Sequence, residues 1–219
     1  MHAYLTQFLT VAVAHLLAVA SPGPDFAMVL RQSLAEGRRV AIWTSIGIGS
    51  AILLHVGYSL LGIGIVIRSS PVAFAVLKAA GAGYLAWIGL KALRSPARAD
   101  LGATPAGLDA GARGAKAPGP TPRAAWTAGF LTNALNPKAT LFFVALFSTV
   151  VDPRTPRIVL AAYGAWMSLA TMAWFSIVSV LFTRDAVRRA FLRGGHWIDR
   201  AMGVVFLGFA AVLALASIR

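Results

Sequence analysis

Six long runs of apolar residues limit what this sequence can fold into. They cover residues 4–30, 40–67, 72–94, 127–151, 157–182 and 198–217. Each has at least the ~20 residues that a helix needs to cross the ~30 Å hydrocarbon core of a bilayer. Open strands cannot cross lipid, because their backbone donors and acceptors would find no partners there. The sequence therefore predicts an all-α integral membrane protein with six transmembrane helices.

The composition agrees with a chain embedded in lipid. Of the 219 residues, 58% are hydrophobic and 12% are charged, whereas about 25% of the residues of a soluble domain are charged. The formal net charge is +13, but the basic residues lie between the apolar runs and form no patch among aromatics. A nucleic-acid partner is therefore not expected. The chain has no cysteine, which excludes disulfides and thiolate metal sites.

The Lys and Arg residues predict how the chain is oriented. Most of them lie in the first, third and fifth connections between the apolar runs. Cytoplasmic loops carry such an excess, so these connections are expected in the cytoplasm and both termini on the periplasmic or extracellular side. No cleavable signal peptide is expected, because no basic segment precedes the first apolar run.

The spacing of the runs predicts two halves of three helices each. Residues 1–94 form the first half and 124–219 the second, and the Ala, Gly and Pro-rich stretch 95–123 is expected to be a flexible cytoplasmic linker. Because three is odd, the second half enters the membrane in the opposite sense to the first. A 3+3 inverted repeat, with the first and fourth helices broken, is the predicted arrangement.

Two breaks interrupt apolar runs at matching places in the two halves. One is Ser-Pro-Gly-Pro-Asp at 21–25, and the other is Asn-Ala-Leu-Asn-Pro-Lys at 133–138. Each lies about nine or ten residues from the cytoplasmic end of its span, or roughly 13–15 Å deep. Paired breaks near the midplane indicate a transporter substrate site. The candidate substrate-binding residues are Ser21, Pro22, Gly23, Pro24, Asp25, Asn133, Asn136, Pro137 and Lys138.

Charged side chains at this depth are costly and usually functional. Asp25 is the one acidic residue expected deep within a span, and it could bind an ammonium or carry a coupling proton; alternatively, it lies shallower and pairs with Arg31. Lys138 could receive a carboxylate, pair with Asp25, or extend to the membrane surface. Backbone carbonyls left free before a break can accept hydrogen bonds from an ammonium, and the helix N-terminus after the break can bind a carboxylate. A zwitterionic amino acid carries both of these groups.

Other polar residues allow two interpretations each. Asn136 could contact the substrate or only cap the half-helix that follows it. The proline break at 22–24 could be a simple kink for packing. His55, in the second span, could relay protons or be a packed, hydrogen-bonded histidine beside the small residues Gly47 and Ala51. Asp25 and His55 are the candidates for proton coupling.

No enzyme signature is found, since no nucleophile with a base, phosphate-binding glycine loop or carboxylate pair is present. No catalytic residue, metal site or cofactor is therefore expected. Two alternatives to a transporter of amino acids remain: a passive channel or exporter for another small solute, and a membrane subunit that transports nothing.

The motifs resemble those of the LysE/RhtB family of bacterial amino-acid exporters. The similarity covers nearly the whole chain except 95–123. It rests on Ser-Pro-Gly-Pro-Asp at 21–25, Gly-Arg-Arg at 37–39, Gly-Ala-Gly-Tyr-Leu-Ala-Trp-Ile-Gly at 81–89, Asn-Ala-Leu-Asn-Pro-Lys at 133–138, Phe-Phe at 142–143 and Ile-Asp-Arg at 198–200.

This resemblance implies export of amino acids or close derivatives by proton antiport across the bacterial cytoplasmic (inner) membrane. The partners it implies are an amino-acid substrate, protons and the lipid bilayer. The sequence leaves open whether two copies form a homodimer, and it does not indicate which amino acid is moved.

Overall fold

The computed structural model describes residues 2–69, 71–94, 119–152, 154–182 and 184–215, and these residues form α-helices and no strand. The helices are α1 (His2–Ala20), α2 (Pro24–Ala35), α3 (Arg38–Ser69), α4 (Pro71–Leu93), α5 (Pro122–Ala134), α6 (Pro137–Thr149), α7 (Arg157–Leu181) and α8 (Asp185–Leu215). The expected all-helical class is therefore confirmed for the described residues. Most of the predicted linker, 95–118, lies outside them.

The first and fourth apolar runs form bent helix pairs. The angle between α1 and α2 is 52°, and that between α5 and α6 is 58°. By length and composition, α7 and the first 23 residues of α3 could each cross a membrane, and each bent pair qualifies when taken as one span. The described part of the chain thus contains up to four candidate spans. The six-span count and the inverted repeat remain predictions.

The last helix starts earlier than the apolar pattern alone indicates. The sixth run begins at residue 198, whereas α8 begins at Asp185 and includes the basic stretch that precedes the run. Arg, Ala and Leu are good helix formers, so a polar segment rich in them can extend an apolar helix.

Close backbone contact between α3 and α5 fixes the position of the second break. A Cβ atom added to Gly47 would overlap the carbonyl oxygen of Trp126, and one added to Gly129 would overlap that of Thr44. Small residues permit this approach. Helix α3 also packs on α7, where Ser168 Oγ donates to the carbonyl oxygen of Gly49 at 2.7 Å. Helix α3 therefore lies between α5 and α7 and packs against both.

Two aromatic-rich clusters make up the buried core. The larger one joins α1, α3, α4, α6, α7 and α8 around Phe143, Met167 and Phe206. The smaller joins α2, α3 and α7 around Phe26 and Phe175. Members of both clusters line one cavity, which places it where the two helix breaks meet.

Candidate functional site

Both breaks place the start of a half-helix at the cavity. At the first break, Gly23 has an extended backbone and Pro24 opens α2. At the second, Asn136 precedes Pro137, and its side chain accepts a hydrogen bond from the Lys138 backbone N–H at 3.0 Å. Proline suits the first helical position, because its φ is already helical and its missing N–H would have no helical partner there.

Asp25 in the first turn of α2 is held by the second break. Its Oδ2 accepts hydrogen bonds from Asn133 Nδ2 at 3.0 Å and Asn136 Nδ2 at 3.2 Å. Its Oδ1 is buried and has no hydrogen-bond partner among the described residues. The positive end of a helix dipole favours a carboxylate at this position. Asp25 therefore presents one oxygen that is free to accept from a ligand, and its hydrogen bonds are with the two asparagines rather than with Arg31.

Lys138 in the first turn of α6 is held by the first break. Its Nζ donates to Ser21 Oγ at 2.9 Å and lies 5.8 Å from the centroid of the Phe206 ring. Ser21 Oγ in turn donates to Asp199 Oδ1 at 3.3 Å. A cation is disfavoured at a helix N-terminus, so the hydroxyl, the aromatic face and the nearby Asp199 carboxylate offset that cost. Asn133 and Asn136 of the second break thus bind Asp25 of the first break, and Ser21 of the first break binds Lys138 of the second.

The cavity between these groups has a solvent-accessible volume of about 40 Å³. A single water needs about 10–15 Å³ of such volume, so the room is for a few waters. An amino acid would require the walls to move apart. Seven candidate residues line the cavity: Ser21, Gly23, Pro24, Asp25, Asn133, Asn136 and Lys138. Pro22 and Pro137 are not among the lining residues, and each contributes to its break through the backbone.

His55 lies outside the cavity lining, behind the second break. Its Nε2 is 3.0 Å from the carbonyl oxygen of Asn133 and its Nδ1 is 2.6 Å from the Tyr58 hydroxyl. The imidazole stacks on the Phe143 ring at a centroid distance of 5.3 Å. It is therefore a packed, hydrogen-bonded histidine that satisfies a carbonyl at the end of α5. The role of His55 in proton coupling remains a prediction.

Three polar residues of the cavity region were not among the sequence candidates, and one of them is Thr171 on α7, which lines the cavity. His15 on α1 lines the cavity and is 1% exposed, and Asp199 on α8 is 5% exposed and accepts from Ser21. The expectation that Asp25 is the one acidic residue deep within a span stays a prediction, and Asp199 is a further acid that is buried beside this site. His15 precedes Ala18 and Val19 by three and four residues, so it shares their helical face. That spacing was the available signal for His15.

We expect Asn136→Ala to weaken both the fold and the site. The change removes the cap of α6 and one of the two donors to Asp25, and the loss of a cap alone costs about 0.5–2 kcal/mol. The matched control is Thr121→Ala, which removes the exposed cap of α5, where Thr121 Oγ1 accepts from the Ala124 N–H at 3.2 Å. Thermal unfolding in detergent should show a loss for both variants, and transport should fall only for Asn136→Ala. Equal transport in the two variants would contradict a site role for Asn136.

Comparison with known proteins identifies the family. The family model for the LysE type translocator matches residues 16–217. The chain is 31% identical over 212 residues to the threonine efflux protein of Escherichia coli (strain K12), covering 97% of this chain and 99% of that protein. It is 30% identical over 217 residues to the leucine efflux protein of Klebsiella pneumoniae, covering 95% and 94%. No solved structure matches the chain. The chain therefore belongs to the LysE type translocator family, as its motifs predict, and is a transporter rather than an enzyme.

Proposed function

We propose that this protein exports amino acids or their close derivatives from the bacterial cytoplasm by proton antiport. The observation that carries the proposal is the cavity at the two helix breaks, which is lined by Asp25 with a free carboxylate oxygen and by Lys138. A negative and a positive group facing one small cavity are complementary to an ammonium and a carboxylate on one molecule. The efflux of threonine and of leucine by the named relatives supports this substrate class.

The membrane arrangement belongs to the same proposal. Six spans in a 3+3 inverted repeat, with both termini outside, agree with two broken helices bent by 52° and 58°. Such a repeat would relate α3 to α7 and α4 to α8, and each of these pairs packs directly together. Alternating access in transporters of this kind is a rocking of one half against the other about a central site.

The mechanism assigns one role to each side of the cavity. Asp25 Oδ1 receives the ammonium of an amino acid from the cytoplasm, and Lys138, together with the Asn136 side chain, holds its carboxylate. The two halves then rock so that the site opens outward. A proton from the outer solution neutralises Asp25, which releases the ammonium, and the proton is carried inward as the site returns.

Efflux from proteoliposomes tests the proposal. Vesicles containing the purified protein are loaded with a mixture of labelled amino acids, and release is followed with and without an imposed pH gradient. We expect selective release of one or a few amino acids, accelerated by the gradient, because proton entry drives the return step. A release rate that does not depend on the pH gradient would favour a passive channel. Absence of release from folded protein would favour another solute or a subunit that transports nothing.

A further inference from the structure

Lys138 is linked to a second carboxylate besides that of Asp25. Its Nζ donates to Ser21 Oγ at 2.9 Å, and the same hydroxyl donates to Asp199 Oδ1 at 3.3 Å. A hydroxyl can accept one hydrogen bond while it donates another, so Ser21 joins the ammonium to the carboxylate. Asp199 is 5% exposed, and the transport cycle proposed above gives it no role.

Helix α8 presents two groups to the Lys138 ammonium. Asp199 and Phe206 are seven residues apart in α8, which is close to two helical turns, so they lie on one face of it. Lys138 Nζ is 5.8 Å from the centroid of the Phe206 ring and is attracted electrostatically to the Asp199 carboxylate. An aromatic face and a carboxylate each stabilise a cation. Helix α8 therefore compensates the charge of Lys138.

The size of the cavity indicates when this compensation is needed. Its accessible volume of about 40 Å³ leaves no room for an amino acid, so a substrate carboxylate cannot lie beside Lys138 while the walls are this close together. A buried charge that has lost its partner is strongly destabilising. In this closed arrangement Lys138 is bonded to Ser21 and, through it, to Asp199. These two residues therefore take the place of the substrate carboxylate.

The antiport cycle includes a step in which the site closes without substrate. On that return step Asp25 carries the proton and is neutral, so it no longer balances the charge of Lys138. Of the two carboxylates that attract Lys138, those of Asp199 and Asp25, only that of Asp199 then keeps its charge. When substrate is bound, its own carboxylate and the ionised Asp25 balance Lys138 and the substrate ammonium, and the charge of Asp199 is not required.

We propose that Asp199 is the counter-ion of Lys138 during the return of the transporter without substrate. Asp199 is then a positioning residue, which acts on the site through Ser21 and Lys138. This inference rests on the proposed function, since the return step belongs to the antiport cycle. Loss of the Asp199 charge should slow the return step and spare the steps that carry substrate.

Net efflux and exchange separate these two kinds of step. Proteoliposomes of the full chain are loaded with the labelled amino-acid mixture. Release into a medium without amino acids requires the return of the transporter without substrate, whereas release against the same mixture in unlabelled form does not. In Asp199→Asn we expect net efflux to fall at least about tenfold, because a buried charge loses its partner. Exchange should stay close to the wild-type rate.

Two further variants control for the charge and for the chemical change. Asp199→Glu keeps the carboxylate and should recover most of the net efflux. Asp152→Asn makes the same change at an exposed residue, which accepts from the Arg154 N–H at 2.7 Å, and should leave both rates unchanged. Equal loss of net efflux and exchange in Asp199→Asn, or loss of neither, would overturn the inference. Should Asp199→Asn fail to fold, Ser21→Ala, which removes the bridging hydroxyl, should show the same selective loss of net efflux.

Thermal unfolding in detergent tests the pairing without any transport. Asp199→Asn and Lys138→Met each remove one partner of a buried charge pair, whereas the double variant leaves neither charge of that pair behind. The double variant should therefore unfold at a higher temperature than Asp199→Asn alone, and additive losses would overturn the pairing. Wild-type protein that releases no amino acid would overturn the proposed function while this measurement still decides the pairing, so the two failures are distinguishable.

Discussion

Asp25→Asn is expected to remove gradient-driven export while leaving the fold in place. The amide oxygen of Asn can still accept from Asn133 and Asn136, which are the contacts of Oδ2. Under the proposed mechanism, the substitution removes both the negative charge that receives the substrate ammonium and the group that carries the proton. Loss of a partner from a buried charge pair costs about 3–5 kcal/mol, and about 1.4 kcal/mol is tenfold. Export should therefore fall at least about a hundredfold.

The control for this variant is Glu36→Gln, the same chemical change at the exposed C-terminal cap of α2. It should export at the wild-type rate. Circular dichroism and gel filtration in detergent would establish that both variants fold. An Asp25→Asn protein that exports at the full rate, with the same dependence on the pH gradient as the wild type, would refute the role assigned to Asp25.

Gly47→Ala is expected to have the largest effect on stability. The new methyl group would overlap the Trp126 carbonyl oxygen and come within 2.9 Å of the Phe130 backbone nitrogen. These are backbone atoms, so α5 as a whole must move away from α3. Overpacking usually costs about 1–3 kcal/mol, and we expect a loss at the top of that range. Because α5 ends at the second break, export should fall as well.

Gly57→Ala, in the same helix, is the matched control. Apart from its chain neighbours and the backbone of its own helix, a Cβ atom at Gly57 would meet no heavy atom within 4 Å, and alanine in a helix interior is about 0.5–1 kcal/mol more favourable than glycine. Thermal unfolding should therefore show unchanged or slightly raised stability for Gly57→Ala and a marked loss for Gly47→Ala. Equal stability in the two variants would mean that α3 and α5 are not in backbone contact.

The sequence could predict the breaks because their causes are local. Proline cannot donate to a helix, so Pro22, Pro24 and Pro137 mark where the helices are interrupted, and the structure interrupts them there. It could also predict that Asp25 and Lys138 need polar partners, since a charge within an apolar run is costly without one, and both have them. The hydrogen bonds that Asp25 and Lys138 make to residues of the other break could not be predicted, because they depend on how helices that are far apart in the sequence pack together.

His15 and Asp199 show where prediction from sequence ends. Both are polar residues whose environment depends on which way a helix faces, and a uniformly apolar run does not reveal its buried face. Asp199 stands at the start of the last run, and the packing of α8 buries it beside Ser21. For His15, only its helical spacing from Ala18 and Val19 carried information.

Asp25 and Lys138 each hydrogen-bond to residues of the other helix break, and this has a consequence for the order in which the site forms during synthesis of the chain. A chain enters the membrane from its N-terminus onward, so Ser21 and Asp25 arrive long before residues 133–138 that bond them. Asp199, which completes the contact with Ser21, arrives later still. Until those residues are synthesised, the Asp25 carboxylate and the Ser21 hydroxyl lack these partners. The set of contacts described here is therefore complete only after Asp199 in α8 has been synthesised.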